Sequence, residues 1–294
     1  MAELIDDLSA NVKNRSPWAQ LGLFLRVVGF ALVAIVAIGA AAGSLLPKPL
    51  SNTTLKLLQM ITTIVLFGGT AFFYARLSYP VNPMVHLGLR PAIRSNFYLL
   101  SILLLLFAFP LEAWLGIVNR QIPLPHWMIE SGESIEKQTM AMLTAKNSFD
   151  ILLNLIVVAV MPGIFEEMCF RGALQPILVR LVKNPWLGIF ITSCIFSFMH
   201  FEFQGFIPRV LLGMLLGISY WYSGSLWAPI IGHCFFNGIQ VLAISYYPDT
   251  MDNKSPSLPI YTIILSAILV GALLMVMRRQ YLETRSDPNS NEWH

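Results

Sequence analysis

Charge is what this sequence is short of. Only 12% of its 294 residues are Asp, Glu, Lys or Arg, against 56% hydrophobic, where a soluble domain carries about 25% charge. That shortage excludes an ordinary water-soluble globule. Together with apolar runs of about 20 residues it specifies an all-α, polytopic membrane bundle of about eight transmembrane helices. Cysteine is scarce too. Cys169, Cys194 and Cys234 all lie in apolar segments, and an odd number inside spans is no disulfide framework, so they read as small packing residues. Cys234 adjoins His233, yet helix neighbours project ~100° apart, which weakens a Cys–His nucleophile pair. There is no HExxH, and no repeat or inverted pair of halves, which speaks against a transporter. The 19 Lys and Arg are scattered and the net charge is +3. Bases flanking spans produce such a balance, so no nucleic-acid partner is implied.

The apolar segments place spans at 18–46, 55–75, 97–118, 150–174, 186–204, 206–222, 227–246 and 258–277. Ser16-Pro17 and Asn184-Pro185 are helix-start signals, a capping side chain before a proline at the first helical position. The organisation is a polar arm at 1–17, membrane helices and a long loop at 18–149, a core at 150–246, and a last helix with a polar tail at 247–294. The first span exceeds the ~7–15 residues of a signal-peptide core and reads as retained. Gly39-x-x-x-Gly43 and Gly213-x-x-x-Gly217 suggest close helix packing. With the N-terminus inside, the outer segments hold only Lys48, Lys56, Arg120, Lys137, Lys146, Arg209 and Lys254 of the 19 bases. Both ends are therefore expected in the cytoplasm, in the plasma or inner membrane of a prokaryotic cell. The loop at 119–149 would lie outside, as a solvated connector or, less simply, a lid.

Against this background three stretches are too polar. GIFEEMCFRG, Gly163 to Gly172, brings three charges into a span end, each costing ~2.5–3.5 kcal/mol at a bilayer centre. Glu167 and Arg171 are i, i+4 and can pair. Glu166 is left without a local partner and is expected to face the bundle interior or a wet cavity. The plainer alternative is that all three anchor the helix at an interface. In FSFMH, Phe196 and His200 share a helix face, and in LWAPIIGHCFFNG, His233 and Asn237 do. Each of these alone reads equally well as hydrogen-bonded packing worth ~1 kcal/mol or less.

Taken together, a carboxylate, two histidines and an asparagine from three spans have the composition of a hydrolytic site. A carboxylate in a low-dielectric cavity is a usable general base. A histidine can hold the water's proton, and a second histidine with an amide can donate to an oxyanion. Helix lengths leave one difficulty. His200 lies ~21 Å past Trp186 but His233 only ~9 Å past Trp227. Either the helix at 186 starts well outside the membrane, or the spans are strongly tilted, or Pro162-Gly163 breaks the fourth span.

Glu166-Glu167-x-x-x-Arg171, Phe196-x-x-x-His200 and Trp227-Ala228-Pro229 leading to His233-x-x-x-Asn237 resemble, in order, the three motifs of the type II CAAX prenyl endopeptidases, the CPBP family of intramembrane proteases. The resemblance covers about residues 150–245. It implies an eight-helix bundle that hydrolyses a peptide bond within or beside the bilayer. In eukaryotic members the last three residues of a prenylated protein are removed. By motif position, Glu166 and His200 would activate water and His233 with Asn237 would stabilise the tetrahedral intermediate. Glu167, Arg171 and Phe196 would support them. Glu166, His200 and His233 also suit three zinc ligands with an open position. The missing HExxH and the oxyanion-suited asparagine favour a site without metal or other cofactor. The expected partners are membrane lipid and a membrane-associated protein or peptide substrate. The alternatives are a non-catalytic membrane scaffold or, further off, a proton-coupled transporter.

Overall fold

The computed structural model describes residues 16–46, 49–145, 147–247 and 258–286. Most of the expected polar arm, the tail beyond 286, and Lys13, Arg15, Lys48, Lys146 and Lys254 of the charge balance lie outside these residues. Among the described residues all regular structure is helical. The helices are α1 (Pro17–Leu45), α2 (Asn52–Ser78), α3 (Pro83–His86), α4 (Asn96–Arg120), α5 (His126–Leu143), α6 (Ser148–Val182), α7 (Pro185–Phe198), α8 (Phe206–Ser223), α9 (Trp227–Tyr246) and α10 (Ile260–Arg285). The two expected start signals work as caps. Ser16 Oγ accepts from Ala19 N at 3.2 Å, and Asn184 Oδ1 accepts from Trp186 N and Leu187 N at 2.9 and 3.2 Å. The protein is an all-α polytopic bundle. α1, α2, α4, α6, α9, α10 and the stretch containing α8 are each long and apolar enough to cross a membrane, and α7 is an eighth, shorter apolar helix.

The long helices alternate in direction. Arg171 Nη2 and Gln175 Nε2 of α6 donate to Gly213 O and Gly217 O of α8, each at 3.1 Å, so α6 and α8 run parallel, with α7 returning between them. Glycine permits this approach. A Cβ on Gly213 would lie 2.9 Å from Ser193 Cβ, and one on Gly217 would lie 2.7 Å from Gln175 Oε1. The other small-residue pair is different, because a Cβ added to Gly39 or Gly43 would meet nothing within 4 Å. Beyond its first turns α1 leans on little, burying only Gln20, Phe24 and Ala31. Arg180 Nη2 donates to Gln20 Oε1 at 2.5 Å, Arg94 pairs with Glu283, and Ile93 N donates to Ser223 O. The start of α1 and the end of α10 therefore share one end of the bundle.

Two departures from the expected spans decide where the site sits. The fourth span does not break at Pro162: α6 runs on to Val182, through two wider π turns at Leu155–Val160 and Met168–Leu174. The fifth stops early. α7 has 14 residues, ~21 Å of rise, short of a ~30 Å hydrocarbon layer. Leu226, the residue before α9, packs on Gly172, where an added Cβ would lie 3.4 Å from the leucine side chain. That contact falls well before α6 ends. α7 thus starts farther out than α9 by the length of the projecting α6 end. This offset lets His200 and His233 both reach the Phe196 ring, without a break of the fourth span at Pro162.

The segment at 119–149 is not a bare solvated connector. Much of it is the 18-residue helix α5, whose Trp127 ring meets Phe203 edge-to-face at 6.0 Å. Asn52 donates to Ala141 O and Asn154 to Leu143 O. These bonds anchor the C-terminal part of α5 to α2 and α6, and the rest covers the turn that carries His200.

Candidate active site

In α6 the three charges between Gly163 and Gly172 turn inward. Glu166 is 8% exposed, Glu167 and Arg171 are 0% exposed, which contradicts the reading of the three as interfacial anchors. The i, i+4 pair forms, with Arg171 Nη1 donating to Glu167 Oε1 at 2.6 Å. Arg171 also lies over the Phe196 ring, 4.6 Å from its centroid. Its flat, weakly hydrated guanidinium suits that position better than an ammonium would. Among the described residues nothing hydrogen-bonds Glu166. Its carboxylate nevertheless keeps a little accessible surface, unlike the sealed and unpaired Oε2 of Glu167.

His200 stands just beyond the end of α7. Its Nδ1 lies 2.9 Å from Phe196 O, one of the carbonyls that a helix C-terminus leaves without an intrahelical donor. A carbonyl can only accept, so Nδ1 carries the hydrogen and Nε2 of the neutral ring keeps its lone pair. Phe196 is the hub of the site. Its ring packs edge-to-face with His200 at 5.0 Å and with His233 at 6.1 Å between centroids.

α9 supplies the other half. His233 Nδ1 donates to Glu167 Oε1 at 2.8 Å, so a single carboxylate oxygen receives both Arg171 and His233. With Nδ1 so engaged, His233 can donate from Nε2 only as an imidazolium, whose charge would face the Glu167 carboxylate. Asn237 is held by a consequence of Pro162. Proline has no N–H for the carbonyl four residues back, which is Val158 O, and Asn237 Nδ2 donates to that oxygen at 3.0 Å. One amide hydrogen of Asn237 remains.

The fold thus brings Glu166, Glu167, Arg171, Phe196 and His233 into one buried cluster, with His200 against the Phe196 ring and Asn237 one turn beyond His233. His233, Glu167 and Arg171 are the charges that act on Glu166. Among the described residues no group of three His, Cys, Asp or Glu side chains is arranged to hold a metal ion. Sequence reasoning passed over Glu112, Asn119, Glu202 and Arg209, which surround the His200 turn. Glu112 and Arg209 carried a legible signal, each being a charge inside an apolar span.

The meeting of α6 and α9 depends on Gly163. A Cβ there would lie 2.4 Å from Cys234 Sγ and 3.1 Å from the backbone nitrogen of Cys234. The sulfur can rotate away, but the backbone cannot. Gly163→Ala is expected to push α9 off α6, to lengthen the Glu167–His233 contact, and to reduce activity about 10²-fold. Turnover and thermal unfolding of the variant in detergent check this, and unchanged turnover would contradict it.

Residues 148–239, which run from the start of α6 into α9, match the family described as type II CAAX prenyl endopeptidase Rce1-like. Over 88 residues the chain is 29% identical to an uncharacterized 24.3 kDa protein of Escherichia coli, a stretch covering 29% of this chain and 41% of that one. Over 97 residues it is 27% identical to the uncharacterized protein YpbD of Bacillus subtilis (strain 168), covering 32% and 47%. The chain spans less than half the length of either relative. No solved structure matches it.

Proposed function

Taking α6 to α9 as the core of a membrane-embedded protease, we propose that this chain is an intramembrane endopeptidase. It hydrolyses a peptide bond in a membrane-associated substrate, of which a lipidated, CAAX-like chain end is one form. The observation that carries the reading is the Glu167–His233 contact at 2.8 Å. It closes the three motif helices around Phe196 with Glu166 beside it unpaired, and the family match supports protease activity in general.

In the proposed reaction a water lies between the Glu166 carboxylate and His200 Nε2. Glu166 takes one of its protons as the oxygen bonds to the carbonyl carbon, and the carbonyl electron pair moves onto oxygen. His233 Nε2–H and the remaining amide hydrogen of Asn237 donate to that oxyanion. Arg171 and Phe196 hold the Glu167–His233 pair in place. When the intermediate collapses, the C–N bond breaks and Glu166 returns its proton to the departing amine. None of these steps calls on a metal. In the proposed orientation both ends of the described chain face the cytoplasm, and α5 with the His200 turn lies toward the opposite side.

The test is the full chain in liposomes with a set of membrane-anchored peptides, the released fragments being identified by mass spectrometry. Fragments are expected from the wild type and none from His233→Ala. A folded wild type that releases nothing from any of them would overturn the reading. Exhaustive chelation with elemental analysis addresses the zinc alternative: full activity is expected with no zinc bound, and loss of activity restored by zinc would replace the metal-free mechanism.

A further inference from the structure

His200 precedes a costly piece of backbone. Phe201 has φ +54°, a left-handed conformation that bulky residues avoid, and a turn of this kind persists only where its surroundings hold it. The surroundings here are polar and come from two other helices. Arg209 of α8 reaches back to Glu202, donating to its backbone carbonyl and, at 2.5 Å, to its carboxylate Oε2. Asn119 of α4 grips both sides of the same turn. Its Nδ2 donates to Phe203 O at 2.9 Å, and its Oδ1 accepts from Ile207 N at 2.7 Å. That N–H belongs to the first turn of α8, where no intrahelical acceptor is available. Ser197 Oγ donates to Phe206 O at 2.8 Å. A Cβ on Gly205 would lie 2.6 Å from Glu202 Oε2 and 2.8 Å from Arg209 Nη2, so glycine leaves the room the clasp occupies. Glu112 of α4 is a further charge near Arg209, opposite to it in sign.

We propose that Arg209, clasping Glu202 with Asn119 behind it, is a positioning residue that holds His200 in its reacting place. The proposal rests on the endopeptidase reading for its kinetic part, though not for its structural part. This clasp, drawn from α4 and α8, is built around a single turn, and that turn carries the imidazole. A clasp that served only folding would alter stability without selectively altering His200.

The experiment compares the wild-type full chain in liposomes with Arg209→Met, Arg209→Lys and Asn119→Ala. It measures kcat and KM together with the rate at which diethyl pyrocarbonate modifies His200 and His233, read by peptide mass spectrometry. Arg209→Met is expected to lower kcat about 10²-fold with KM within about twofold, the signature of a misplaced group rather than lost binding. The His200 modification rate is expected to rise about fivefold or more as the turn opens locally, with His233 unchanged. Arg209→Lys, which retains a charged donor, is expected to recover about tenfold of the lost kcat. Should Arg209→Met fail to fold, Asn119→Ala carries the same two readouts. Unchanged kcat, or a fallen kcat with unchanged His200 modification, overturns the proposal. If the wild type cleaves nothing, the protease reading fails by itself. The modification rates then decide alone: a selective rise at His200 supports the clasp and its absence overturns it.

Discussion

Glu166→Gln is expected to abolish peptide hydrolysis and leave the protein folded. The substitution keeps the shape of the side chain and removes only its capacity to take a proton. Loss of a general base costs about 10²–10⁴ in rate, and the upper part of that range is expected where the same carboxylate must also return the proton to the leaving amine. Stability should not fall, because among the described residues Glu166 has no hydrogen-bond partner to lose. An uncharged amide also avoids the penalty for a carboxylate held away from water. The measurement is turnover of a cleavable membrane peptide beside the thermal unfolding midpoint in detergent. Turnover within about tenfold of the wild type would remove Glu166 from the role of base and leave the Glu167–His233 pair as the next candidate.

Arg171→Met has the other large expected effect, and it falls on the fold. Removing one partner of a fully buried ion pair leaves the second charge uncompensated, at a cost of ~3–5 kcal/mol. Here the residue left behind would be Glu167, sealed from solvent with Oε2 already unpaired. His233 Nδ1 still faces Oε1 at 2.8 Å and donates to it, so the loss is expected toward the lower end of that range. The variant should also lose activity, since the carboxylate that orients His233 would be free to turn. The double variant Glu167→Gln/Arg171→Met provides the check. With no net charge left behind it should be more stable than Arg171→Met alone, a coupling of ~0.5–3 kcal/mol measured by reversible unfolding. A single variant within ~1 kcal/mol of the wild type would mean that the pair is solvated and that the buried site described above is wrong.

Much of this was legible because it is local. Depletion of charge and runs of apolar residues require a membrane bundle, since a bilayer leaves the backbone no partners except its own. Ser16 and Asn184 announced α1 and α7 because a cap acts within three residues. The Glu167–Arg171 pair followed from helix geometry alone, as those side chains stand one turn apart. Where expectation and structure part, the cause is non-local. The segment at 186–204 looked like a full span, yet α7 stops at Phe198 because the turn after it is held by Asn119 and Arg209 from other helices. The segment at 119–149 looked like a solvated loop because Glu130, Glu133 and Glu136 interrupt it and no apolar run of span length remains, but α5 has a face that packs on Phe203 and Glu202.

The amino-acid order by itself determined the class of protein, the span starts, and which few polar side chains were too expensive to lie in lipid without a use. Those properties rest on hydration and on the helical repeat, both of which act over a handful of neighbouring residues. Only the tertiary structure decided that His233 would meet Glu167, that Asn237 would answer the carbonyl left open by Pro162, and that His200 and His233 would both reach the Phe196 ring. These depend on the register between helices. That register is set by where backbones can touch, at Gly163, Gly172, Gly213 and Gly217, and by how far α6 projects beyond the start of α9, which no one segment contains.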